Sequence, residues 1–273
     1  WGDGIELASA GRVLGVAHPT GYPLYTLALR AAQAVPLGAV PFRSNLLDAV
    51  LGVLAALAWF HAALRVFRRF DAPWFRSDLE RAALAATAAL CVALSRSWWF
   101  HAITVEVYTL NMLFLGVGAV WCIELLERFS TRRWAALWLL WGLAMAHHRL
   151  ALTLLPTILI CGHVGYRRER REENGGRAGR RRPLSARRSL SARPALRIVA
   201  LAPALSLVGL LSYAYLPIRA AKNPPLNWGA PDSPSRFLWS VRGGQFAEFM
   251  MFHLAPGRPF DADTYGPERG GTS

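Results

Sequence analysis

"NLLDAVLGVLAALAWFHAALRV", residues 45–66, decides the fold of this chain. A helix crossing the hydrocarbon core of a bilayer needs about 20 mainly apolar residues, and this run supplies them. The one polar ring inside it, His61, reads as a helix-packing residue. Working outward, further apolar runs lie at 83–100, 106–126, 134–147, 150–165 and 197–217. Composition points the same way: 53% of the 273 residues are hydrophobic and 11 are Trp, with a mean hydropathy of +0.25, more apolar than a soluble domain of this length requires. The expected fold class is an all-α membrane protein, a polytopic helical bundle of about six transmembrane helices.

Two of the runs are short. Those at 134–147 and 150–165 are separated by His148 and Arg149, which predicts a tight helical hairpin or one kinked element with Pro156 near its middle. The segment "YPLYTLALRAAQAVPLG", residues 22–38, carries Arg30 and Gln33 and ends near Pro36. It predicts an interfacial helix in the first outer loop instead of a full span.

Orientation follows from the basic residues. The connection 67–82 holds Arg68, Arg69, Arg76 and Arg81, the connection 127–133 holds Arg128, Arg132 and Arg133, and 166–197 holds twelve Arg. These are alternate connections and so share a side, which the positive-inside rule makes cytoplasmic. The expected organisation is an outer-face loop at 1–43, transmembrane helices at 44–165, a disordered Arg-rich cytoplasmic loop at 166–196, a span at 197–217, and the start of an extracytoplasmic segment at 218–273. Trp1 stands where a Met would begin a complete protein, and no signal peptide is visible, so the chain is expected to be a piece of a longer one.

The net charge of +14 invites a nucleic-acid reading, but the Arg residues are concentrated between apolar runs and do not line an aromatic-bearing face, so no nucleic acid is expected. Cys91, Cys122 and Cys161 lack CxxC spacing and sit in apolar runs, which excludes a recognisable disulfide framework or zinc site. No cofactor is implied, and dependence on a divalent metal stays open.

With topology set by Arg alone, the polar residues at the outer ends of the runs are Asp3, Glu6, His18, Arg96, His101, Glu106, Tyr108, His147, His148, Arg149, Arg219 and Lys222. Ionisable groups at membrane depth are costly unless paired or lining a wet cavity, so this gathering is a candidate site. Asp3 and Glu6 share a helical face, as a general base or a metal pair, or Asp3 caps a helix beginning near Gly4. "HPTGYP" is a rigid turn that fixes His18 and Tyr22 relative to those acids, or a solvated loop. In "SRSWWFHAITVEVYTLN", residues 95–111, Trp98 and Trp99 read as interface anchors, and Glu106 as either a site residue or a structural ion pair. "MAHHRL" offers Arg149 and neighbouring His to a phosphate, or lets Arg149 snorkel to headgroups. Arg219 and Lys222 break the orientation trend, which fits an anionic ligand or headgroups on that face. No Ser/His/Asp arrangement, Walker loop or GxGxxG motif is present.

Five ordered blocks, "DGIELASAGRVLGVAHPTGYPLY", "NLLDAVLGVLAAL", "ALSRSWWFHAITVEVYTLN", "GLAMAHHRLALTLLP" and "YAYLPIRAAKNPPLNWGAPDSPSRFLWSVRGGQF", resemble the DUF2723 family, which includes TMEM260-like protein O-mannosyltransferases. The resemblance covers most of residues 3–246 apart from the Arg-rich loop. It implies a bacterial member, a GT-C type glycosyltransferase of the inner membrane, with its site facing outward and a polyprenyl-phosphate sugar as donor. Asp3 and Glu6 match the family's D-x-x-E, and His18 and Pro19 its H-P. Family members usually carry Ser and Gly between the acids, where this sequence has Gly4 and Ile5. They are also longer at both ends, with a span before the acidic motif.

The reading that results is transfer of a sugar, with mannose the candidate, to a hydroxyl acceptor on protein or glycan. Asp3 and Glu6 are the catalytic candidates, and His18, Tyr22, Arg96, Glu106, Tyr108, His147, His148, Arg149 and Arg219 the substrate-binding ones. The partners are the lipid-linked donor, the acceptor and the bilayer. A transporter or flippase of a lipid-linked or anionic solute is the alternative, and it would be expected to carry mid-membrane ionisable groups and inverted repeats. A structural scaffold, with the outer charges as anchors, is a third reading.

Overall fold

The structure, a computed structural model, describes residues 3–69, 77–179 and 200–245. Among them every regular element is a helix. In chain order these are α1 (Gly4–Val13), α2 (Pro23–Ala34), α3 (Val40–Phe67), α4 (Asp78–Ala93), α5 (Arg96–Ile103), α6 (Tyr108–Glu127), α7 (Thr131–His147), α8 (Leu154–Gly179), α9 (Leu205–Leu210), α10 (Tyr215–Ala220) and α11 (Pro234–Arg242).

Three stretches are helical, long and apolar enough to cross a membrane: Val40–Phe67, Tyr108–Glu127 and Arg149–Glu172. They mark an integral membrane protein. Counting the bent pair α4 and α5 as one broken span makes four, where the sequence led us to expect about six. The expected run at 83–100 is broken because Ser95 accepts a hydrogen bond from the Trp98 amide and starts a new helix, turning the chain by 68°. A serine oxygen that satisfies the first free amides competes with continuation of the preceding turn. The run at 197–217, described from residue 200, is wound as tight turns with ψ near −20° interleaved with short α segments, and Pro203 and Pro217 each remove a backbone donor. At the other extreme, α8 continues to Gly179, well inside the segment expected to be an irregular loop from 166. Arg76 and residues 180–199 lie outside the described residues.

The two short runs form a hairpin, one of the two arrangements expected. Trp134 packs on Gly162, and the Trp141 indole donates to the Ala151 carbonyl, so α7 and α8 run antiparallel. Leu137, Trp138, Leu154, Ile158 and Cys161 fill the space between them. On its other side α7 meets α9 with almost no separation. A Cβ on Gly142 would lie 2.2 Å from the Ser206 carbonyl oxygen, and one on Gly209 would lie 2.4 Å from the Leu143 nitrogen. Small residues at these two positions let the backbones pack directly on one another.

Helices α3 and α6 are the central antiparallel pair. At one end Thr109 of α6 bonds Asp48 of α3; at the other Arg65 of α3 pairs with Glu124 and Glu127 of α6. At 1.5 Å per residue these two ends of α3 are about 25 Å apart. Helix α2, twelve residues long, is too short to span and lies on α1, α3 and α7. Its buried face of Tyr25, Leu29 and Gln33 recurs every four residues.

Candidate active site

The candidate site is built at the Asp48 end of the bundle. Helix α1 begins at Gly4 with Asp3 in the N-cap position, but the Asp3 side chain makes no capping hydrogen bond. Its carboxylate instead lies 3.6 Å from His18 Nε2 and is largely exposed. Glu6, one turn on, accepts from the His18 backbone amide at 2.8 Å and pairs with His18 Nδ1 at 3.1 Å. His18 is buried, as is Glu106. Glu106 reaches this corner because Gly4 has no Cβ: one built there would lie 3.1 Å from the Val105 carbonyl oxygen.

These charges shift one another. Burial alone would lower the His18 pKa, but the hydrogen bond to Glu6 and the charges of Glu6, Asp3 and Glu106 outweigh it and raise it. Burial would raise Glu6, yet the two hydrogen bonds and the charge of His18 bring it down. Glu106 is raised, first by burial and then by the Asp3 charge, with His18 opposing. His18, drawn toward its cationic form by the three acids, is the electrostatic centre of the site.

Behind it lies an aromatic wall. Tyr22, in a left-handed conformation with φ 41° just before α2, meets the His18 ring edge-on at 5.2 Å and His147 at 6.2 Å. Burial pushes the Tyr22 hydroxyl up, while the charge of Arg149 pulls the other way. His147 is wholly buried; its Nε2–H donates to the Val107 carbonyl at 2.8 Å and its ring also faces Tyr25 and Phe114. His148 uses Nδ1 to accept the Leu150 amide, capping the turn that leads into α8, and its ring packs at a tilt against Tyr108, which in turn packs at a tilt against His101 at 4.6 Å.

Not every expected residue joins this cluster. Arg149 is exposed and donates to the Arg242 carbonyl at 2.9 Å. Arg96 is exposed at the start of α5 and makes no hydrogen bond or ion pair with the cluster. Arg219 is turned inward: its Nε donates to the Leu14 carbonyl at 2.6 Å and an Nη to Val13 at 3.3 Å, satisfying the frayed end of α1, where Leu14 has φ 50°. The loop after α1 is held further by Tyr215, which donates to the Gly15 carbonyl, and by Val16, whose backbone exchanges hydrogen bonds with Leu226 and Trp228. Among the described residues no three His, Cys, Asp or Glu side chains converge closely enough to hold a metal ion.

Sequence reasoning missed Asp48. It is fully buried in α3 and accepts from both the Tyr25 and Thr109 hydroxyls at 2.5 Å, tying α2, α3 and α6 together directly beneath the site. The signal was available, since an acid inside an apolar run has to find partners.

The profile of the family described as the protein O-mannosyl-transferase TMEM260 N-terminal domain matches residues 3–172. The mouse protein O-mannosyl-transferase TMEM260 is 37% identical over 117 residues, covering 42% of this chain and 15% of the mouse protein. The chain thus spans a small fraction of the length of that relative. No solved structure matches the chain. The matched region takes in every element from Asp3 to the first part of α8, including the acids, His18, Asp48 and the His147–Arg149 turn, and this chain belongs to the TMEM260 N-terminal domain family.

Proposed function

We propose that this chain is the site-bearing part of a membrane O-mannosyltransferase of the GT-C type. It moves a mannosyl group from a polyprenyl-phosphate donor to a hydroxyl on a protein at the extracytoplasmic face of the membrane. In this reading α7 and the wound segment 200–220 also lie within the bilayer, giving about six crossings. The observation that carries the reading is the pair of acids around His18: Glu6 is occupied by two hydrogen bonds from His18, whereas the Asp3 carboxylate stays open to solvent.

The roles follow from that asymmetry. Asp3 accepts the proton of the acceptor hydroxyl as its oxygen bonds to the anomeric carbon and the bond from that carbon to the donor phosphate breaks. Glu6 is a positioning residue that fixes His18, and His18 in turn orients Asp3. Arg149, anchored by one N–H to Arg242, has further donors for the departing phosphate. His148 and Tyr108 form the wall beside it. Arg219, spent on the end of α1, has no part in holding phosphate.

The test is transfer of radiolabelled mannose from a panel of polyprenyl-phosphate donors by the full-length protein, with and without EDTA. Product that is lost on Asp3→Asn is expected. Absence of product from every donor would sink the reading, and uptake of labelled solute by proteoliposomes would then favour a transporter.

A further inference from the structure

The opposite end of the bundle holds a second polar cluster that the reading above does not use. A cavity of about 630 Å³ opens there, lined by His61, Arg65, Arg68, Arg69, Glu127 and Arg168. Two of these, His61 and Arg65, lie one turn apart on α3, and Arg68 and Arg69 follow directly at its C-terminal end. Glu127 ends α6, and Arg168 lies on α8.

The charges in the lining do not balance. Arg65 is saturated, with Nη atoms 2.6 Å from Glu124 and from Glu127 and Nε donating to His61 at 3.2 Å. Glu124 is shared with Arg133 at 2.8 Å, so neither acid has capacity to spare. Arg69 reaches Glu127 only at 3.6 Å, and Arg168 pairs along its own helix with Glu172. Arg68 has no carboxylate partner among the described residues. Four guanidiniums thus face one lining carboxylate in a space large enough for a phosphate headgroup. Uncompensated cations at the edge of a low-dielectric layer favour a bound anion, and the guanidinium fork suits phosphate oxygens.

We propose that this cavity binds a phosphate-bearing anion, with the headgroup of an anionic phospholipid as its occupant. The apolar surface beside it favours lipid over free phosphate: one and two turns before Arg168 on α8, Val164 and Ile160 are exposed, and Val66 is exposed beside Arg65 on α3. A headgroup seated among the arginines would lay its acyl chains along those residues.

The test uses the full chain in nanodiscs of phosphatidylcholine with or without phosphatidylglycerol, and in detergent with inorganic phosphate alone. Retained lipid is counted by native mass spectrometry, and Tm is followed in parallel. Phosphatidylglycerol is expected to stay bound and raise Tm. The double variant Arg68→Gln with Arg168→Gln, which leaves the Arg65 pairs intact, is expected to weaken it about thirtyfold, from roughly fivefold per guanidinium. Its Tm in pure phosphatidylcholine should equal that of the wild type. The double variant Arg128→Gln with Arg132→Gln removes equal charge from the α6–α7 connection and the first turn of α7, outside the cavity, and should keep binding. A Tm rise with inorganic phosphate alone, lost in the cavity variant, would assign the site to free phosphate. Equal binding by wild type and cavity variant, or equal loss in both double variants, would overturn the proposal.

Discussion

Glu6 holds His18 twice, through the backbone amide at 2.8 Å and through Nδ1 at 3.1 Å, across twelve residues of sequence. The contact locks the "HPTGYP" turn onto the first turn of α1 and leaves Nε2 directed at Asp3, 3.6 Å away. Of two acids that spacing alone makes equivalent, one is thereby structural and the other open.

The pair should give stability a characteristic dependence on pH. His18 lies above its ordinary 6.5, so its contribution is complete below 6.5 and is lost as pH rises through the folded value. Glu6 lies below its ordinary 4.5, so its contribution is complete above 4.5 and is lost as pH falls through the folded value. Glu106, raised by burial and then by Asp3, works the other way and costs stability as pH rises past 4.5. The Tm difference between wild type and His18→Gln is expected to peak between 4.5 and 6.5. A difference still growing above about pH 8 would contradict the pairing.

The two acids should separate kinetically. Asp3→Asn is expected to lower mannosyl transfer by about 10² to 10⁴ with Tm unchanged, the usual contribution of a general base. Glu6→Gln should lower Tm as well, by the equivalent of about 1–3 kcal/mol, because it weakens a charge-assisted hydrogen bond in a half-buried position. Transfer assays and thermal unfolding on the same preparations decide it. The assignment is reversed if Asp3→Asn unfolds early and Glu6→Gln does not.

Asp48 should behave as a buried hub. Asp48→Ala leaves the Tyr25 and Thr109 hydroxyls without an acceptor, at about 1–3 kcal/mol for each. Asp48→Asn keeps one acceptor oxygen and should cost less. In a double-mutant cycle, Tyr25→Phe combined with Asp48→Ala should cost clearly less than the sum of the two singles. Strict additivity would show that the bond contributes nothing.

Arg219 should fail as a structural residue fails. Arg219→Gln withdraws donors from the Val13 and Leu14 carbonyls and is expected to lower Tm by the equivalent of about 1–3 kcal/mol. A variant with wild-type Tm and a raised KM for the donor would return Arg219 to the phosphate.

Gly142→Ala tests the α7–α9 contact. Its methyl group would meet the Ser206 carbonyl oxygen at 2.2 Å, so the helices must part, at about 1–3 kcal/mol read as a drop in Tm.

Much of this molecule was legible in its sequence. Runs such as 45–66 and 106–126 specify membrane helices because a bilayer demands unbroken apolar length, a property of composition alone. The D-x-x-E spacing and the rigid turn marked Asp3, Glu6 and His18 for the same reason, since local periodicity puts both acids on one face and proline fixes the loop. The break at Ser95 could be read only in part: a serine inside an apolar run is equally compatible with back-bonding within a continuous helix and with capping a new one.

Pairing between distant elements was decided by tertiary structure. Sequence sorted Arg96, Arg149 and Arg219 to one face as equivalent cations, yet Arg219 closes the end of α1, Arg149 rests on the last carbonyl of α11, and Arg96 is exposed. Asp48 in the same way acquires its meaning only when α2 brings Tyr25 and α6 brings Thr109 to it. The physical reason is that composition and periodicity set which helices form and which faces are apolar. A charge's role depends on the partner that the packing angle delivers within about 3 Å, and that distance is fixed only when the helices close on one another.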